Sequence, residues 1–228
     1  MRKYYTRPCN FYYGNYSKKL VKNKKALPLA GNSNISFDKL EIFQRKKGSG
    51  AKSHICSIKE VKNLKSDIKK IVQTDLKQIT IKRKNLLNIR FDNPSIMGVL
   101  NITPDSFSDG GLFFDELKAY ERAKVMVDEG ASIIDIGGES TRPGSKVVDE
   151  KEEWNRIENT IKSLKKNFSN IILSLDTRKS YVMEKGIDVG INIINDVSGL
   201  NFDKKSFNLI NSKKIPFILH HMQGTPDT

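Results

Sequence analysis

The run SIMGVLNI, Ser95–Ile102, decides the fold. It is almost continuously apolar, the pattern of a strand buried on both faces rather than one with a wet side. The pattern recurs in SIIDI (Ser132–Ile136), IILSL (Ile171–Leu175), INII (Ile191–Ile194) and PFIL (Pro216–Leu219). Helical spacing fills the gaps. Asp115–Glu129 has apolar positions at Leu117, Tyr120, Ala123, Met126 and Val127. Asp149–Phe168 opens with Asp149, Glu150, Glu152 and Glu153, where the helix dipole favours acids. Lys179–Lys185, closed by Gly186 or Gly190, and Asp203–Ser212 supply two more helices. Strictly alternating strands and helices predict a parallel α/β sheet.

Each predicted strand is followed by a polar or glycine-rich stretch: Asn101–Gly111, Gly137–Ser145, Asp176–Arg178, Asn195–Gly199 and His220–Gly224. Both TIM barrels and doubly wound sheets carry their functional groups in such loops. No G-x-G-x-x-G follows the first strand, which favours the barrel. A full barrel takes roughly 250 residues, and residues 95–228 are about half of that. The expected architecture is therefore a partial TIM (β/α)8 barrel of about five βα units.

Upstream, the chain changes character. Of the formal net charge of +14 over 228 residues, residues 1–94 hold 23 Lys+Arg against 6 Asp+Glu, whereas residues 95–228 hold 17 against 20. The chain thus divides into a small basic α+β segment, 1–94, and a nearly neutral domain, 95–228. In the segment, the alternation from Ile35 to Phe43 predicts one or two strands, and Lys46–Lys52 reads as a flexible connector. Apolar positions at Ile58, Val61, Leu64, Ile68, Ile71 and Val72 predict one amphipathic helix ending before Ile79. The tyrosines and lysines of the 1–94 segment suit base stacking and phosphate contact, yet no nucleic-acid-binding signature accompanies them, so nucleic acid is not an expected partner. No apolar window reaches 18 residues, and no secretory leader pattern opens the chain, so no membrane association is expected. Cys9 and Cys56 make neither a disulfide framework nor a zinc motif, and a reducing cytoplasmic setting is expected.

Chemistry concentrates in the strand-end loops. Asn101 offers a neutral oxygen of the kind Mg²⁺ accepts beside phosphate oxygens. The turn-rich loop after it, with Asp105, Ser106, Phe107 and Asp109, suits a lid, although Asn and Asp also cap turns. Thr141, Arg142 and Pro143 sit in a second glycine-rich loop, where a hydroxyl, a guanidinium and backbone N–H groups could cradle a phosphate. Asp176 and Asn195, at consecutive strand ends, pair a carboxylate with an amide, a combination that reads a flat heterocycle. Asp176 also suits capping of the following helix. His220 and His221 point to opposite faces of a strand, so at most one faces a site, and Met222 suits an aromatic slot.

Taken together, IMGVLNITPDSFSDGG (Ile96–Gly111), IIDIGGESTRPGS (Ile133–Ser145), LSLDTRK (Leu173–Lys179), INIINDVSGL (Ile191–Leu200) and HMQGTP (His221–Pro226) resemble the dihydropteroate synthase family of folate biosynthesis. The resemblance covers Ser95–Thr228. It implies a (β/α)8 transferase that joins (7,8-dihydropterin-6-yl)methyl diphosphate to 4-aminobenzoate, uses Mg²⁺, and is a homodimer when full length. It implies Asn101 as the Mg²⁺ ligand, Thr141 against the pterin diphosphate, and Arg142 in the same loop. Asp176 and Asn195 would hold the pterin ring, with Met222 packed against it. Asp105, Ser106, Phe107, Asp109, Arg142 and Pro143 would belong to mobile loops closing over aminobenzoate and leaving group. The family's later pterin aspartate, lysine and Arg-x-His motif have no counterpart in these residues, so the 228-residue chain is expected to be an incomplete synthase, inactive alone. The competing expectations are a pterin-dependent methyltransferase and a non-catalytic pterin-binding or regulatory protein.

Overall fold

The computed structural model of the chain describes residues 3–46, 49–103, 111–140 and 147–221. They fall into two compact units, Met1–Asn85 and Leu86–Thr228.

The first unit runs β1 (Tyr4–Tyr13), α1 (Gly14–Lys22), β2 (Leu27–Leu29), β3 (Asn32–Lys46), β4 (Ser49–Ser57), a 3-10 turn (Glu60–Asn63) and α2 (Ser66–Thr80). Its sheet is antiparallel, with β3 pairing β1, β2 and β4. Phe37, Leu40 and Ile42 of β3 form the core with Val61 and Val72. Two expectations fail here. The stretch Lys46–Lys52 is not a connector, because β3 and β4 pair through it, Lys46 against Ser49 and Gln44 against Lys52. The single helix is two pieces: Leu64 (ψ 152) and Lys65 (ψ 144) are extended, and α2 then runs past Ile79 to Thr80. Ser57 and Glu60 form a reciprocal capping box at the first piece, with each backbone N–H donating to the other's side-chain oxygen.

The second unit alternates β5 (Ile96–Asn101), α3 (Gly111–Asp128), β6 (Ala131–Gly137), α4 (Glu150–Asn167), β7 (Ile172–Asp176), α5 (Ser180–Asp188), β8 (Ile193–Asp196), α6 (Ser206–Lys213) and β9 (Phe217–Leu219). All five strands are parallel and lie in chain order. A doubly wound sheet reverses direction at a switch point, whereas stepping always to the next strand is how a barrel is wound. Among the described residues the sheet is open, with β5 and β9 as its edges.

Both sheet faces are apolar over most of their height, which explains the continuous sequence runs. On the helix side, Leu100, Ile134, Ile136, Leu173, Leu175 and Ile194 pack against the helices, Trp154, Ile157, Ile161 and Leu164 of α4 foremost. The inner face buries Ile133, Ile172 and Ile193, flanked by Met97 and Ile218, and Ile89 joins them from the turn before β5. Val99, inward on the open edge, is left 55% exposed. Asp149 caps α4 by accepting from the Lys151 N–H. Gly186 lies inside α5, where a Cβ would come within 2.4 Å of Leu175 Cδ2, and Gly190 (φ +98) is the glycine that ends the turn beyond it.

Candidate functional site

The last inward-facing positions of the strands form one register row. Asn101 pairs with Gly137, Gly137 with Asp176, Asp176 with Asn195, and Asn195 with Ile218. Their strand neighbours Leu100, Ile136, Leu175 and Ile194 point into the helix-side core, so strand alternation turns the row to the inner face. Glycine at the second position matters: a Cβ on Gly137 would sit 3.3 Å from Asn101 Oδ1 and 3.5 Å from Asp176 Oδ2. Two oxygens thus flank a bare stretch of backbone.

Of the residues expected from sequence, Asn101, Asp176 and Asn195 come together in this row. Asp105, Ser106, Phe107, Asp109, Thr141, Arg142, Pro143 and Met222 lie outside the described residues. Asp176 does not cap α5. The Ser180 N–H donates instead to Asp203 Oδ2 at 2.9 Å, and Lys179 occupies the cap position without its side chain capping the helix.

Asp135 enters the site without having been singled out. It lies one inward position below Gly137 on β6, is 4% exposed, and accepts a 2.8 Å bond from Asn195 Nδ2. Its signal was present in the sequence as a charged residue inside an apolar strand, at the parity of Gly137. On the other side of Asn195, His220 Nε2 lies 2.8 Å from Oδ1, so His220 is the histidine that meets the site. Burial, then the neighbouring carboxylates of Asp135, Glu153, Asp196 and Glu139, push the Asp176 carboxyl up to about 7.

Behind the row lies a buried ion cluster, also unforeseen. Lys179 Nζ meets Glu139 and Glu153, and Arg178 Nε bonds Glu139 at 3.0 Å. The Val148 N–H donates to Glu139 Oε1 at 2.9 Å, tying the end of β6 to the chain that leads into α4. Burial raises the Glu139 carboxyl, but the bonds from Arg178, Val148 and Lys179 outweigh it and hold the group below the usual carboxylate range. The Arg178 guanidinium also lies 4.0 Å from the centre of the Phe202 ring.

Among the described residues no three His, Cys, Asp or Glu side chains are arranged to hold a metal ion. The row does offer hard oxygen donors, Asn101 Oδ1 and Asp176 Oδ2, on the same face. Of these, Asn101 Oδ1 fits Mg²⁺, which commonly takes one or two protein oxygens and completes its shell with water and substrate phosphate.

Residues 97–228 match the family described as pterin binding enzyme, and the chain belongs to that family. Within it, the curated relatives that resemble the chain include dihydropteroate synthases. That of Clostridium beijerinckii is 48% identical over 126 residues, covering 55% of this chain and 46% of the relative. That of Synechocystis is 44% identical, covering 58% and 46%. Among solved structures, the dihydropteroate synthase from Clostridium difficile, determined in the presence of pteroic acid, is 47% identical at a TM-score of 0.55. The match covers 57% of this chain and 50% of that one. The Xanthomonas albilineans enzyme with 4-aminobenzoic acid is 39% identical at 0.55, covering 58% and 48%. The chain spans about half the length of these relatives.

Proposed function

We propose that residues 95–228 carry the pterin- and diphosphate-binding part of a dihydropteroate synthase, which displaces diphosphate from (7,8-dihydropterin-6-yl)methyl diphosphate with the amine of 4-aminobenzoate. The observation that carries this reading is the row Asn101–Gly137–Asp176–Asn195, which sets two oxygens and an amide side by side at the C-terminal strand ends. Barrel enzymes place their chemistry at that face. Likeness to synthases determined with pteroic acid and with 4-aminobenzoic acid supports it.

In this reading Asp176 and Asn195 hold the ring edge of the pterin, and Asn101 holds Mg²⁺ against the diphosphate. Bound Mg²⁺ would supply neutralisation of the departing diphosphate's charge. Thr141 and Arg142 join Asn101 around the diphosphate, Met222 packs on the ring, and Asp105, Ser106, Phe107, Asp109 and Pro143 close over aminobenzoate. No covalent enzyme nucleophile is needed: orientation, charge stabilisation and exclusion of water supply the catalysis. Water exclusion is what an open sheet does poorly. With Val99 half-exposed on the inner face, the 228-residue chain is proposed to bind pterin but to turn over weakly or not at all. A cytoplasmic setting, which the free thiols Cys9 and Cys56 suit, and a homodimeric full-length enzyme belong to the same proposal.

Calorimetry with the pterin diphosphate and Mg²⁺ tests the reading. Saturable binding to the 228-residue chain, weakened tenfold or more by Asp176→Ala, is expected. A folded chain that binds no pterin would sink the proposal, and turnover at ordinary synthase rates would sink the part of it that concerns the open sheet.

A further inference from the structure

Three side chains make a hydrogen-bonded line across the inner face. Asn195 Nδ2 donates to Asp135 Oδ2 at 2.8 Å, reaching over β7 from β8 to β6, and His220 Nε2 lies 2.8 Å from Asn195 Oδ1. A primary amide has a donor end and an acceptor end, so committing one end fixes the other. A carboxylate only accepts, which makes the end facing Asp135 the nitrogen. The reversed amide would set Oδ1 against Asp135 Oδ2, replacing a charge-assisted bond with a repulsion in a buried position. The end facing His220 is therefore the oxygen, and Nε2 of the ring must carry a proton to donate to it.

We infer that Asp135 and His220 are positioning residues that lock the Asn195 amide in one orientation, so that the site offers a bound heterocycle one fixed N–H and one fixed oxygen lone pair. The lock turns a residue that could accommodate either donor or acceptor into one that discriminates. An amide free to rotate adapts to a ring edge with the two roles exchanged. A locked one leaves such an edge with mismatched polar groups, which costs far more than a lost contact. The lock itself follows from side-chain geometry, while its use in ring selection rests on the proposed pterin reading of Asn195.

The two parts are separable by experiment on the 228-residue chain. Without any ligand, exchange of the Asn195 side-chain amide protons, followed by NMR on ¹⁵N-labelled protein, is expected to be at least several-fold slower than for exposed asparagines. Asp135→Ala should abolish the protection. Unprotected amide protons in the unsubstituted chain would overturn the lock. Selection is read with 6-hydroxymethylpterin and the corresponding lumazine, whose 2-amino group is replaced by a carbonyl. The unsubstituted chain is expected to prefer the pterin, with His220→Phe cutting that preference about tenfold and His220→Gln, which keeps a donor, restoring most of it. His220 is exposed, so neither change should disturb the fold. A purely structural role would weaken both ligands alike, so an unchanged ratio in His220→Phe overturns positioning by His220. Protected amide protons together with no binding of either ligand would leave the lock standing and count against the pterin reading instead.

Discussion

Lys179 Nζ lies 3.1 Å from Glu139 Oε1, with both side chains more than nine-tenths buried. On its other side the same ammonium meets the fully buried carboxylate of Glu153. One cation thus joins the end of β6, the first turn of α4 and the start of α5, the elements that hold Gly137 and Asp176 in register. Desolvation makes such a cluster a weak source of net stability while it is intact, but a severe liability when one member is removed.

Lys179→Met should therefore lower unfolding stability by about 3–5 kcal/mol, because it leaves two carboxylates buried beside one another. Arg178→Met removes a partner that is 25% exposed, and should cost about 1 kcal/mol. Urea unfolding of the two variants checks the contrast. Equal losses would show that Lys179 is not the centre of the cluster.

Asp176 makes stability depend on pH with an unusual sign. Its carboxyl is pushed from 3.8 up to about 7, by burial first and then by the carboxylates of Asp135, Glu153, Asp196 and Glu139. Between those two values the folded chain retains a proton that the unfolded chain has released. Stability from this group is thus fully present below pH 3.8 and declines as pH rises toward 7. Asp176→Asn keeps the shape without the charge. It should raise the melting temperature relative to the unsubstituted chain at pH 8 and change it little at pH 4. A variant less stable than the parent at pH 8 would contradict this assignment.

The parallel sheet was legible because burial on both faces writes an apolar run at every strand, and the strand order follows from winding. Asn101, Asp176 and Asn195 were legible because each ends such a run. Asp135 was not, since only the register reveals that an amide two strands away reaches down to it. The Lys179 cluster was equally hidden, its members being 26 and 40 positions apart and ordinary charged residues in sequence. Strand β4 escaped because among the described residues it pairs only with β3 and its residues are mostly solvent-facing; even Ile55 is 62% exposed. In sequence, the Gly48-Ser49-Gly50 run then looks like a linker. The break in the predicted helix left no mark either, because the 3-10 turn and α2 both present their apolar residues to the same core.

The adjacent glycines Gly137 and Gly138 should fail in different ways when replaced by alanine. A Cβ on Gly138 would lie 2.9 Å from the Glu153 carbonyl oxygen and 3.0 Å from Ile157 Cγ2. Backbone of α4 cannot yield as a side chain can, so Gly138→Ala should cost about 1–3 kcal/mol by overpacking. A Cβ on Gly137 would meet side-chain atoms, Asn101 Oδ1 at 3.3 Å and, at ordinary contact distance, Asp176 Oδ2 at 3.5 Å and Asp176 Cβ at 3.6 Å. The Asn101 amide end can move aside by a few tenths of an ångström, so the fold should lose less than about 1 kcal/mol. The movement falls on the Asn101 oxygen proposed to hold the metal, and the new methyl crowds the Asp176 oxygen proposed to hold pterin; sub-ångström placement of such groups controls affinity. Gly137→Ala should therefore melt near the parent temperature while binding pterin diphosphate and Mg²⁺ roughly tenfold more weakly, and Gly138→Ala should show the larger melting loss. Calorimetry beside thermal unfolding separates the two. If Gly137→Ala binds like the parent, the row from Asn101 to Asp176 is not where the ligand sits.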